Sequence, residues 1–135
     1  MDTEIRALVV DDSAVMRKLI MRALSAAGVT DVDQATDGIQ ALEAVSQKDY
    51  AIIMMDWNMP NMTGIEAARA IRDQGKNEPI VMVTTESERS RILEAIKAGV
   101  NDYVMKPFTP ESIGEAIQNV LARRAASCPP TLESE

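Results

Sequence analysis

The chain has 135 residues, 14 of them basic and 21 acidic, for a formal net charge of −7, and it contains no histidine. That length fits one domain able to bury roughly two-thirds of its unfolded surface. The acidic balance argues against nucleic-acid wrapping, and the missing histidine excludes Ser-His-Asp and Cys-His catalysis and histidine-containing zinc sites. The one cysteine, Cys128, has no partner for an internal disulfide. The acidic start Met1-Asp2-Thr3-Glu4 does not read as a signal peptide, and no run reaches the roughly 20 apolar residues that span a bilayer. A soluble, reduced, cytoplasmic domain is expected.

Residues 5–10 (IRALVV) form the first short apolar run, and Asp11 and Asp12 follow it. Val15, Leu19, Ile20, Ala23 and Leu24 then recur at helical spacing, with Ser13 as the N-cap and Gly28 as the stop. Residues 32–35 are more polar and read as an edge strand. Asp37 opens the next helix with Gln40 three residues on, a capping-box pattern, and Ile39, Leu42 and Val45 supply its stripe. The run 51–55 ends at Asp56 and leads into the loop Trp57-Asn58-Met59-Pro60-Asn61-Met62-Thr63-Gly64. Ile65, Ala68 and Ile71 mark a third helix, and the run 80–83 is followed by Thr84. Ile92, Leu93 and Ile96 mark a fourth helix ending near Gly99, and the run 103–105 precedes Lys106. Thr109 caps the last helix, Pro110 takes its first position, and Ile113, Ala116, Ile117, Val120 and Leu121 form its stripe. After about Arg124 the pattern dissolves, so a domain over 1–125 and a disordered tail over 126–135 are expected.

Short aliphatic runs alternating with helical segments predict an α/β fold. The expected form is a doubly wound, five-stranded parallel sheet covered by five helices. In such a sheet, ligands bind beyond the carboxyl ends of the strands. Four of the five runs deliver a charged or hydroxyl group there: Asp11 and Asp12, Asp56, Thr84, and Lys106. Singly, each has an ordinary explanation as a helix cap, a strand residue or a solvated lysine. The pair Asp11-Asp12 resists that explanation, because Ser13 already suits the cap and adjacent carboxylates repel.

Three carboxylates on one strand edge require compensation by a cation, a lysine or a shared proton. Without histidine or a thiolate, an all-oxygen site favours Mg²⁺. The set suits phosphoryl transfer to a carboxylate, with Asp56 as nucleophile, Asp11 and Asp12 as the metal pair, and Thr84 and Lys106 holding phosphoryl oxygens. A flavin-mononucleotide binder of flavodoxin type would place a Ser/Thr- or Gly-rich phosphate loop where two aspartates stand. A phosphatase of haloacid-dehalogenase type expects Asp-x-Asp after its first strand; here Asn58 takes the second position, which argues against a fast hydrolase.

The segments Val9-Val10-Asp11-Asp12-Ser13, Asp56-Trp57-Asn58-Met59-Pro60-Asn61-Met62-Thr63-Gly64, Val83-Thr84-Thr85 and Tyr103-Val104-Met105-Lys106-Pro107-Phe108 resemble the response-regulator receiver family. The likeness covers about residues 5–122, and the Asp-Trp-Asn-Met-Pro-Asn-Met segment is closest to the family's stand-alone chemotaxis regulators. The resemblance implies the strand order 2-1-3-4-5 and a flavodoxin-like fold. It makes Asp56 the phosphoacceptor. Mg²⁺ would be held by Asp12, Asp56 and the backbone carbonyl of Asn58, with Asp11 acting through a metal-bound water. Lys106 would pair with the phosphoryl group and Thr84 would hydrogen-bond it, while Tyr103 turns inward. Pro107 would follow a cis peptide bond, and Asn58 and Glu86 fall at positions that tune hydrolysis. Trp57 adjoins the site as a fluorescence reporter. One departure is Thr63, on the loop, where aspartate is common.

By the same resemblance, the chain would catalyse only its own phosphorylation and dephosphorylation. A sensor histidine kinase of the chemotaxis type would donate the phosphoryl group, a phosphatase could reset it, and a flagellar motor switch protein would read the output. A phosphorelay or enzyme-regulating single-domain receiver is the alternative. A monomer that binds neither nucleic acid nor membrane is expected. The output face would comprise the fourth helix, fifth strand and fifth helix, with Ile92, Ile96, Tyr103, Met105 and Phe108 available to a partner helix, although several of these are expected to be core.

Overall fold

Strands and helices alternate strictly in the computed structural model. In chain order they are β1 (Arg6–Val10), α1 (Ala14–Ala26), β2 (Asp31–Ala35), α2 (Gly38–Gln47), β3 (Ile52–Asp56), α3 (Gly64–Asp73), β4 (Ile80–Thr84), α4 (Arg89–Lys97), β5 (Asp102–Met105) and α5 (Pro110–Ser127). The structure describes residues 5–57, 59, 61–84, 89–105 and 109–127, with side chains except at 89–91, 110 and 123–127. All pairings are parallel and the sheet order is β2-β1-β3-β4-β5, as expected. The order reverses between β1 and β3, and this places the ends of β1, β3 and β4 side by side at the sheet's carboxyl edge.

The period-two alternation of the strands divides the core between two layers. Leu8, Val10, Ile53, Met55, Ile80 and Met82 face α2, α3 and α4. Ala7, Val9, Ile52, Met54, Val81 and Val83 face α1 and α5, against Ile20, Leu24, Ile113, Ile117 and Val120. The central strands are therefore buried on both faces, which is why they are almost purely aliphatic. β2 has a single buried residue, Ala35, and occupies the edge that its polarity predicted.

Ser13, Asp37 and Thr109 each cap a helix as expected. Gln40 departs from the capping-box pattern, because its side chain accepts from Thr36 N at 2.9 Å rather than from the Asp37 amide. The reciprocal box lies at Thr63 and Glu66, so Thr63 is the N-cap of α3 and not a plain loop position. α5 continues to Ser127, two residues into the segment expected as tail.

The predicted helix stripes need one consistent correction. Ile65, Ala68 and Ile71 are buried, but Val15, Leu19, Ile39, Leu93 and Ile96 are exposed. On α1, α2 and α4 the buried face includes small residues, among them Ala23, Ala41 and Ala95. Small side chains let a helix approach the sheet closely, so the bulky aliphatics can lie on the outer face.

Candidate functional site

Asp11 follows the last residue of β1, Asp56 is the last residue of β3, and Thr84 is the last residue of β4. All three are buried, whereas Asp12 is exposed. One carboxylate oxygen from each of Asp11, Asp12 and Asp56 lies within 4.8 Å of the others. The local chain explains this placement. Ser13 supplies the N-cap by accepting from Met16 N at 3.2 Å. The Asp11 carboxylate is therefore released from capping and accepts the Ser13 amide at 2.9 Å. Asp56 Oδ1 accepts the amide of Trp57 at 2.9 Å, which fixes the plane of its carboxylate.

The loop after β3 is held at several points. Asn61 takes a left-handed backbone with φ 71°, a conformation asparagine tolerates better than most residues. Its side-chain amide donates to Asp37 Oδ2 at 2.8 Å, which ties the loop to the start of α2. The Gln40 amide, then Asn61, hold the Asp37 carboxyl below its ordinary value by hydrogen-bonding its charged form. The Gly64 amide donates to Trp57 O at 2.8 Å and closes the loop onto the end of β3.

Beside the carboxylates, a cavity of about 140 Å³ opens between α4 and β5. Trp57, Thr84, Ile92, Ala95, Ile96 and Tyr103 contribute to its wall, so Trp57, Thr84 and Tyr103 share one space. Tyr103 is 40 % exposed and stands at its mouth.

A family model described as the response regulator receiver domain matches residues 7–118. The chain belongs to that family. It is 42 % identical over 119 residues to a chemotaxis protein CheY homolog of Campylobacter jejuni, covering 86 % of this chain and 92 % of the relative. The chemotaxis protein CheY of Pseudomonas aeruginosa is 42 % identical over 120 residues, covering 87 % of this chain and 97 % of the relative. Among solved structures, the chemotaxis response regulator CheY4 of Vibrio cholerae superimposes with a TM-score of 0.82 at 36 % identity, covering 88 % of this chain and all of that one. Among the described residues, no helix of this receiver is long and apolar enough to cross a membrane.

The structure thus brings together Asp11, Asp12 and Asp56, and groups Thr84 with Trp57 and Tyr103. Asn58, Lys106, Pro107, Phe108 and Glu86 lie outside the described residues of the receiver. Ile92 and Met105 are half-buried, and Ile96 and Tyr103 are exposed. None of these four is core, contrary to the expectation that several would be. Sequence reasoning missed Arg17, whose guanidinium Nη1 donates to the main-chain oxygen of Asp11 at 2.7 Å. A basic residue one turn into a helix carries no signal of such a contact. It also missed that Gly64 is required by space alone.

Proposed function

We propose that this receiver is a phosphorylatable chemotaxis switch that accepts a phosphoryl group on Asp56 in the presence of Mg²⁺. The observation that carries the reading is the convergence of three carboxylate oxygens within 4.8 Å at the carboxyl edge of the sheet. The donors are all oxygen, which suits a hard cation. Three oxygens this close can share one cation, with Asp12 and Asp56 in direct contact, Asp11 acting through a bound water and the carbonyl of Asn58 as a further ligand. When bound, the ion supplies neutralisation of the charge on the phosphoryl oxygens.

The remaining work falls to the chain. Asp56, its carboxylate plane set by the Trp57 amide, attacks phosphorus on a phosphohistidine of a sensor kinase. An Oδ–P bond forms as the P–N bond breaks, and the imidazole leaves with the electron pair and is protonated. Thr84 and Lys106 then hold phosphoryl oxygens. The added charge draws Thr84 toward the acyl phosphate, which frees space for Tyr103 to turn inward and alters the face of α4, β5 and α5. Relatives named as CheY favour a flagellar motor switch protein as the reader of that face.

The test uses acetyl phosphate and intact-protein mass spectrometry. The wild-type chain should gain one phosphoryl group with Mg²⁺ and none with chelator, and Asp56→Asn should gain none. Labelling of Asp56→Asn at the wild-type rate would remove the assignment. Labelled protein that ignores the N-terminal peptide of a motor switch protein would instead favour a phosphorelay role.

A further inference from the structure

Arg17 joins the end of β1 and the helix α1 to the edge strand β2. From α1 its Nη1 donates to the main-chain oxygen of Asp11 at 2.7 Å. Its Nε donates to Oε1 of Gln34, on the edge strand β2, at 2.9 Å. The Asp11 amide in turn donates to Ala35 O at 3.1 Å. Asp11 is therefore pinned through its amide by β2 and through its carbonyl by a guanidinium that β2 also holds. A planar guanidinium delivers both bonds in one preorganised fork, which an ammonium cannot do.

The three carboxylates are not held equally. Those of Asp11 and Asp56 accept main-chain amides. The carboxylate of Asp12 is exposed and accepts no hydrogen bond from any described residue. Its direction is set by its rotamer and by the peptide plane that precedes it, and Arg17 holds that plane through Asp11 O. A ligand that is unordered before binding pays its ordering entropy when the cation arrives, so fixing the peptide raises affinity without touching the ion.

We propose that Arg17 is a positioning residue for cation binding, fixing the Asp11–Asp12 peptide so that Asp12 faces Asp11 and Asp56, with Gln34 anchoring the guanidinium. This rests on reading the cluster as a Mg²⁺ site. A purely electrostatic role makes the opposite prediction. A guanidinium beside the cluster repels an incoming cation, so its removal would tighten binding. Positioning requires that its removal weaken binding. The sign of the change decides between them.

The experiment titrates Mg²⁺ into the full chain at constant ionic strength, read by Trp57 emission and by calorimetry, for wild type, Arg17→Met and Gln34→Met. Melting in chelator monitors folding. Arg17→Met should weaken Mg²⁺ binding about tenfold, the low end for loss of a group that orients a metal ligand. Gln34→Met, which keeps every charge, should weaken it by a smaller factor. Binding by Arg17→Met that matches or exceeds wild type overturns the proposal. Unchanged binding by Gln34→Met overturns the anchoring role of the edge strand. Should Arg17→Met fail to fold, Arg17→Lys takes its place, because it keeps the charge and loses the paired guanidinium bonds; weaker binding supports positioning and unchanged binding overturns it. Absence of Mg²⁺ binding by wild type overturns the metal reading itself, a result distinct from failure of the Arg17 proposal.

Discussion

Gly64 lies against the main-chain oxygen of Asp56, and a side chain at position 64 would run into that oxygen. An added Cβ would also meet Met82 sulfur and the Trp57 Cα, each at 3.0 Å. The φ of Gly64 is not in the left-handed region, so the requirement is for room rather than for backbone freedom. The first turn of α3 docks on the end of β3, and glycine permits the contact. Gly64→Ala must push α3 away from Asp56. We expect a loss of about 1–3 kcal/mol in urea unfolding, the usual range for overpacking, together with weaker Mg²⁺ binding read by Trp57.

Gly114 is the contrasting case. It lies inside α5, and a Cβ there meets nothing within 4 Å. A glycine in a helix interior costs conformational entropy on folding with nothing at this position to offset it. Gly114→Ala should therefore stabilise the receiver by about 0.5–1 kcal/mol, seen as a higher urea midpoint with an unchanged slope. A lower midpoint would mean that the space beside α5 is closed.

These two glycines show what the sequence could and could not reveal. Strand positions were legible to within about a residue because aliphatic runs such as 51–55 have few other places to go in a parallel sheet. The acidic edge was legible because Asp11, Asp12 and Asp56 each end or follow such a run. Helix phase was harder to read. Ile39, Leu93 and Ile96 look like core by hydropathy, yet helices that settle closely onto a sheet also use Ala41 and Ala95 for the contact, and alanine carries almost no hydropathy signal. The close approach of Gly64 to Asp56 and the bond from Arg17 to Asp11 depend on main-chain atoms. No residue pattern encodes those.

The Tyr50 phenol is buried and donates to Asp33 Oδ2 at 2.7 Å, where Lys48 Nζ also arrives at 3.1 Å. The phenol's hydrogen bond, followed by that of Lys48, holds the Asp33 carboxyl below its ordinary 3.8 against the opposing effect of burial. Burial, reinforced by Asp33, holds the phenol above its ordinary 10.0. The signs follow by linkage. The lowered carboxyl contributes stability that is present above 3.8 and is lost as pH falls through its folded value. The raised phenol contributes stability that is present below 10.0 and is lost as pH rises toward its folded value. Tyr50→Phe should cost about 1–2 kcal/mol at neutral pH, reduced from a fully buried charged hydrogen bond because Asp33 is partly solvated. Urea midpoints across pH should also flatten on both the acid and alkaline limbs. A Tyr50→Phe profile that merely parallels wild type would show that the pair does not control the pH response.

Leu93, Ile96 and Tyr103 are 51 %, 57 % and 40 % exposed, and form an apolar surface on α4 and β5 next to the cavity that holds Thr84. Ile96 gives little packing to the free receiver, so Ile96→Ser should change stability by no more than about 0.5 kcal/mol. If this face is where a partner helix docks on the phosphorylated protein, the same substitution removes an apolar anchor from the interface. Binding of the phosphorylated receiver to the N-terminal peptide of a flagellar motor switch protein should weaken by roughly fivefold, or about 1 kcal/mol. Fluorescence titration of that peptide and urea unfolding of the same variant separate the two quantities. Unaltered peptide affinity in Ile96→Ser would move the docking face elsewhere. A large loss of stability would mean that Ile96 belongs to the core after all. Only weakened binding with preserved folding fits an outward-facing isoleucine that serves a partner.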